Sequence, residues 1–330
     1  AISMSATTLF QTSVADSVTR VRWSHDSTAV ASSSWSGEVS AFDGSSKHFS
    51  YRSSAPILDF DWHSPQSLVY ASAICRSPRV WDFSTNTDVG FESPVHVAPI
   101  KAVEFSDLRA CILTGSWDGT IRAWDFRSKE QTLTAHLPGK VLAMACQGDS
   151  IYAATAGLLS SPNRPHLLYL DLRFLSERPP HVQDHQLESL VRSVALSQDC
   201  TVALATCADG RTRVDYPMEQ SKTGFSFHAH RDTVVHCCAF TPSGAFATGA
   251  ANGEVCFWDE AKRSRIAHAP KNPGPISSLA IDPTGERLAL AISRVMDEER
   301  GVTEEIRVLQ MNPNWCARQG RPGRRNHRRR

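Results

Sequence analysis

The chain repeats itself. One unit recurs along it: an apolar strand, a polar turn, a second strand rich in small residues, a tight turn with Asp or Gly, a third strand, then an aromatic residue and Asp. The clearest copy is Ala102-Val-Glu-Phe-Ser-Asp-Leu, continued by Cys111-Ile-Leu-Thr-Gly-Ser-Trp-Asp-Gly-Thr-Ile-Arg-Ala-Trp-Asp125. Another is Cys238-Ala-Phe-Thr-Pro-Ser-Gly, continued by Phe246-Ala-Thr-Gly-Ala-Ala-Asn-Gly-Glu-Val-Cys-Phe-Trp-Asp259. Weaker copies end at Phe42-Asp43, Trp81-Asp82, Leu170-Asp171 and Asp215-Tyr216. A seventh covers Ser278-Leu-Ala-Ile-Asp-Pro-Thr-Gly through Ile306-Arg-Val-Leu309. Successive ends are separated by 39 to about 50 residues.

A period near 40–45 with a terminal Trp-Asp marks WD-repeat blades, each a four-stranded sheet. One such sheet cannot bury both of its faces, whereas a ring of them can. The expected fold is therefore all-β: a seven-bladed WD-repeat β-propeller over residues 8–312. Alternation such as Thr120-Ile-Arg-Ala-Trp suits half-buried strands. Thr8-Leu-Phe-Gln-Thr12 reads as a strand that closes the last blade and removes its open edge. Asp118-Gly119 and Asn252-Gly253 read as two-residue hairpin turns with both central residues at positive φ. Two polar insertions, Leu159–His166 and Met296–Glu305, read as surface loops.

Composition agrees with one large domain. Of 330 residues 41% are hydrophobic and 21% charged, and no run of 18 apolar residues is present. Residues 1–7 read as an N-terminal extension without secretory-signal pattern, Ala1-Ile2-Ser3 before Met4 resembling a tag remnant. Nine cysteines form no C-x-x-C pair and sit mostly in apolar runs, as reduced structural thiols do. With no Asn-x-Ser/Thr acceptor either, a cytosolic or nuclear home is expected. The net charge of +1 is uneven: Arg318–Arg330 holds seven arginines and no acid, leaving about −6 on the remainder. Residues 313–330 read as a basic, disordered tail. It is either a solvated end without a role in the fold or a weak, sequence-blind contact for nucleic-acid phosphates.

Chemistry is hard to find. The chain has no phosphate-cradling glycine loop and no Gly-x-Ser-x-Gly elbow. His228 and His230, in Phe227-His-Ala-His-Arg231, would share one face of a strand, but a metal would need further ligands nearby. The expectation is no catalytic residue, no metal and no cofactor. The alternative from another class is a propeller enzyme with its active site in the central channel.

Several segments carry a resemblance. They are Thr114-Gly-Ser-Trp-Asp-Gly-Thr, Gly139-Lys-Val-Leu-Ala-Met with Ala154-Thr-Ala-Gly, Asp209-Gly-Arg-Thr-Arg-Val-Asp-Tyr216 and Phe227-His-Ala-His-Arg231. Ile276-Ser-Ser-Leu-Ala-Ile and Leu288-Ala-Leu-Ala-Ile-Ser before an acidic loop add to these. Together, and in this order, the chain resembles the Bub-three and Gle-two family of propellers from about residue 9 to 310. Its spindle-checkpoint branch is a closer likeness than its messenger-RNA export branch at the nuclear pore.

The resemblance implies a partner-binding adaptor of the nucleus, found at the kinetochore in mitosis and partly in the cytoplasm. It would grasp a Gle-two-binding-sequence segment of a checkpoint kinase or pseudokinase across one face. Arg211 would pair with glutamates of that segment, and Trp35 and Trp117 would pack on it. Phosphorylated Met-Glu-Leu-Thr repeats of a kinetochore scaffold would be a further partner, with Arg231, His230 and His228 as candidate phosphate ligands. The chain departs from the pattern at His228, where Lys or Arg is usual, and at Ser36, where Asp would follow Trp35. Its stretch from Tyr216 to Phe227 is short, the linker after Arg231 lacks the usual insertion, and the arginine tail has no counterpart.

Overall fold

Seven antiparallel sheets follow one another along the chain. The computed structural model describes residues 2–3, 7–91, 95–157, 164–183, 187–219, 221–294 and 303–316. The insertion residues 158–163 and 295–302, the tail Arg318–Arg330, and Ala1 and Met4 lie outside them. In the first blade Val18–Trp23 is innermost, followed outward by Val30–Ser34, Glu38–Asp43 and Ser46–Arg52. The other blades repeat this order, and their inner strands pack side by side around a central channel.

The ring is closed as the sequence predicts. Thr7–Ser13 pairs antiparallel with Glu305–Gln310 and becomes the outermost strand of blade seven. The seam is tied further by side chains of blade seven: the Val18 amide donates to Ser293 Oγ (2.7 Å) and the Val21 amide to Ser278 Oγ (3.1 Å). The Trp23 indole donates to the Ala280 carbonyl at 3.2 Å.

The core lies between sheets rather than within one. Leu113 and Ile121 of blade three meet Val141, Met144, Ile151 and Leu168 of blade four, all buried. Blades approach closely because the second strands carry small residues. A Cβ on Gly115 would stand 2.7 Å from Val141, and one on Gly249 would stand 2.8 Å from Cys237 and Ile276. Eight described cysteines are unpaired, and burial pushes the thiols of Cys207 and Cys238 up to about 12, so they are inert.

Two expectations need correction, and one further element was not foreseen. Asp118-Gly119 and Asn252-Gly253 are not two-residue turns: only the glycines have positive φ, +79° and +82°. The Gly119 amide donates to the Ser116 carbonyl and the Gly253 amide to that of Ala250, making three-residue loops with glycine in the left-handed position. Within the N-terminal extension, Ile2–Ser3 forms a short strand that the sequence did not signal. It pairs in parallel with Ala267 and His268, because the outer edge of blade six offers unpaired backbone groups. The packed body also runs past residue 312: Pro313–Cys316 forms a helical turn and Trp315 is buried, stacked on Phe257 at 4.9 Å.

Two blades hold a buried polar chain. In blade three the Trp124 indole donates to Thr114 Oγ1 (2.7 Å), Thr114 meets His96 Nε2 (2.8 Å) and His96 Nδ1 meets Asp118 (2.8 Å). In blade six Trp258 donates to Thr248 and Thr248 meets His230 Nε2, both at 2.9 Å. There the chain loosens: the carboxylate nearest His230 Nδ1 is the half-exposed Glu254, at 3.6 Å and beyond hydrogen-bond distance. Asn252 stands where Asp118 would be, its oxygen accepts the Glu254 amide, and His230 Nδ1 has no hydrogen-bond partner among the described residues. Burial lowers the pKa of His230 and keeps its ring neutral.

Asn252→Asp should complete the second chain and stabilise the protein by about 1 kcal/mol at neutral pH. A neutral buried imidazole opposes folding once the unfolded ring protonates, near pH 6.5. A buried carboxylate in hydrogen-bond contact with Nδ1 would relieve that opposition more than the half-exposed Glu254 does. The gain from Asn252→Asp, measured by urea unfolding, should therefore be larger at pH 5.5 than at pH 7.5, and an equal or smaller gain would reject the assignment.

Candidate binding face

Strand direction alternates across each blade. The turn between second and third strands, and the connection to the next blade, therefore open on one face, here called the upper face. Trp35 lies between Val30–Ser34 and Glu38–Asp43, and Trp117 between Cys111–Ser116 and Thr120–Asp125. Arg211 opens the third strand of blade five, and His228 ends its fourth, directly opposite. All of these residues share the upper face.

This face is unusually apolar. Trp35 is 53% exposed and Trp117 40%. Ile74, Val95, Val97 and Leu190 are exposed in neighbouring upper turns and connections. Large exposed apolar side chains gathered on a rigid face are the usual anchors of a protein interface.

The channel opens between the two tryptophans into a cavity of about 370 Å³. Its rim follows from one recurring irregularity. Every inner strand slips register after its first residue, leaving Thr19, Leu58, Lys101, Leu142, Arg192, His236 and Ser277 without a cross-strand partner. A bulge of this kind re-aims the extra side chain, and all seven line the cavity. Burial lowers the pKa of Lys101, and the cations Arg20 and Arg192 lower it further against the pull of Asp59. Burial and Arg192 hold His236 down at about 4, so it is neutral at physiological pH. Deeper in, Arg22 of blade one donates to Glu104 of blade three at 2.6 and 3.2 Å. Asp59 and Asp61 of blade two accept the Val103 and Phe105 amides, so charge also locks three blades together.

The residues singled out from the sequence fall into three groups. Trp35 and Trp117 come together at the channel mouth. Arg211 stands apart on blade five, its side chain 42% exposed, donating to His228 Nε2 at 3.3 Å with Asp209 at 3.8 Å. His228 and Arg231 are exposed beside it. His230 does not belong with them. Its side chain is fully buried against Thr248, so it cannot take a phosphate from solution. The strand ends at His228, and the chain then turns inward, which breaks the same-face reading of the two histidines.

A usable signal was present. His96 and His230 each precede a threonine by 18 residues, and each threonine precedes a tryptophan by 10. Lys101, Arg192 and His236 were missed altogether. Each follows the first apolar residue of an inner strand, so aligning the repeats would have gathered them. Among the described residues no group of three His, Cys, Asp or Glu side chains could hold a metal ion. The His96–Asp118–Thr114 arrangement resembles a hydrolase triad only in residue type, since His96 and Thr114 are fully buried.

Comparison with known proteins places this geometry. The WD domain, G-beta repeat family matches residues 91–125 and 221–259, the two stretches that contain the buried Trp–Thr–His chains. Mitotic checkpoint protein BUB3.1 of Arabidopsis thaliana is 28% identical over 304 residues, 86% of each chain. The Poly(A)+ RNA export protein of Schizosaccharomyces pombe is 26% identical over 311 residues, 87% of this chain and 84% of its own. Mitotic checkpoint protein bub-3 of Caenorhabditis elegans is 27% identical over 291 residues, 82% of each. Checkpoint and export relatives thus stand at similar identity, and such WD-repeat proteins are scaffolds rather than enzymes. The chain is a non-enzymatic WD-repeat propeller that is similar, over most of its length, to checkpoint and RNA-export proteins of the Bub-three and Gle-two type.

Proposed function

We propose that this protein holds a short acidic segment of a partner across its upper face, and that the partner is a checkpoint kinase or pseudokinase carrying a Gle-two-binding sequence. The observation that supports this reading is the set of exposed apolar turns, Trp35 and Trp117 foremost, around a channel mouth with positive charge. Aromatic anchors supply buried area, while cations select an acidic segment and reject a basic one. Arg211 offers a planar donor that suits a glutamate carboxylate, and its contacts with His228 and Asp209 hold it in position. Docking on phosphorylated Met-Glu-Leu-Thr repeats would fall to Arg231 and His228 at the edge of blade five. In this reading the protein is nuclear, gathers at kinetochores in mitosis and is partly cytoplasmic.

The similarity to an RNA export protein supports a second reading, in which the segment belongs to a nucleoporin. Affinity purification from mitotic and interphase cells separates the two. Checkpoint kinases in the mitotic eluate are expected; nucleoporins alone in both would decide for export.

Trp35→Ala and Trp117→Ala should each weaken segment binding by about 2 kcal/mol while leaving the unfolding midpoint nearly unchanged, since both rings are exposed. Arg211→Glu should weaken it by a few kcal/mol, because an ion pair becomes a like-charge repulsion. Calorimetry with the co-purifying segment checks all three, and unaltered affinity in Arg211→Glu would remove that residue from the site.

A further inference from the structure

The channel mouth carries more positive charge than the fold uses. Lys101 and Arg192 have no ion-pair partner within 4 Å among the described residues. The carboxylate that faces them, Asp59, is already engaged: it accepts the Phe60 and Val103 amides at 3.0 Å and has Arg20 at 3.5 Å. His236 lines the same lumen, and its buried Nδ1 has no hydrogen-bond partner among the described residues. These three groups come from blades three, five and six, and each is turned into the lumen by the same bulge. Mutual repulsion in a desolvated lumen destabilises such a set unless something neutralises it. Two uncompensated cations and a neutral imidazole match a compact dianion in charge, and the 370 Å³ cavity has room for one.

We propose that the channel mouth is a phosphate socket, in which Lys101, Arg192 and His236 together hold one phosphate group. The socket shares the channel mouth with the proposed segment site, but Arg211 does not line it, so inorganic phosphate alone tests the socket apart from the segment. Guanidinium and ammonium donate to the phosphate oxygens, and the imidazole supplies a neutral hydrogen bond. The phosphate could come from a free phosphorylated small molecule or from a phosphoserine presented by a bound peptide.

The test titrates the whole chain with inorganic phosphate, and separately with a short acidic peptide carrying one phosphoserine against its unphosphorylated form, all in physiological salt. Saturable binding of inorganic phosphate at one site per chain, with a shift of the His236 ring signals in NMR, is expected if a free ligand suffices. A tenfold or greater preference for the phosphopeptide over both its unphosphorylated form and phosphate is expected if a peptide delivers the group. In either case Lys101→Met and Arg192→Met should each weaken binding at least tenfold, and Arg127→Met, on an exposed lower turn, should leave it unchanged. Among the described residues the side chains of Lys101 and Arg192 make no hydrogen bonds, so these two variants should melt as the parent does. Failure of both probes to saturate, unmoved His236 signals, or binding indifferent to both substitutions would overturn the proposal.

Discussion

Everything here depends on closing a ring of sheets that cannot stand alone. Each blade is apolar on both faces, so each needs two neighbours, and the first and last blades need each other. The antiparallel pairing of Thr7–Ser13 with Glu305–Gln310 meets that need by placing the start of the chain beside its end. A strand borrowed from the far terminus makes closure cooperative, since the last sheet is incomplete until the whole chain is in place. The hydrogen bonds from Val18, Val21 and Trp23 onto blade seven then seal the inner seam.

Closure also builds the binding face. Seven inner strands converge at the channel, and each relieves its register with one bulge near the upper end. Because the fold repeats that irregularity, it presents seven side chains as a ring whose identities are free to vary. In this chain three of the seven are Lys101, Arg192 and His236. Around them the second turn of each blade projects whatever residue occupies it, and in blades one and three that residue is tryptophan. Rigid sheets hold the turns, so a partner meets anchors already in position. The scaffold and the site are thus consequences of one repeat, with framework positions buried and turn positions available to a partner.

The sequence made the repeat, the blade count and the closing strand legible because each is a local pattern. Apolar alternation, glycine at turns and the terminal Trp-Asp all act within a few residues of where they appear. What it hid were directions. His228 and His230 look equivalent on an ideal strand, yet the strand ends between them and His230 turns in to meet Thr248. Lys101, Arg192 and His236 lie 91 and 44 residues apart in sequence, and only the bulges aim them at one point. Asp118-Gly119 gave the right turn location but the wrong turn type, since Asp118 is committed to His96 and only glycine takes positive φ. Arg211 was legible as an exposed turn residue, but its distance from the channel mouth was not.

The central claim is that partners engage the upper face around the channel mouth. Amide hydrogen exchange of the full chain, alone and bound to the segment that co-purifies with it, tests this most directly. Protection is predicted at the turns 35–37, 117–119 and 209–211, with the lower turns unchanged. Protection confined to the lower turns, or to the outer edges of the blades, would contradict it.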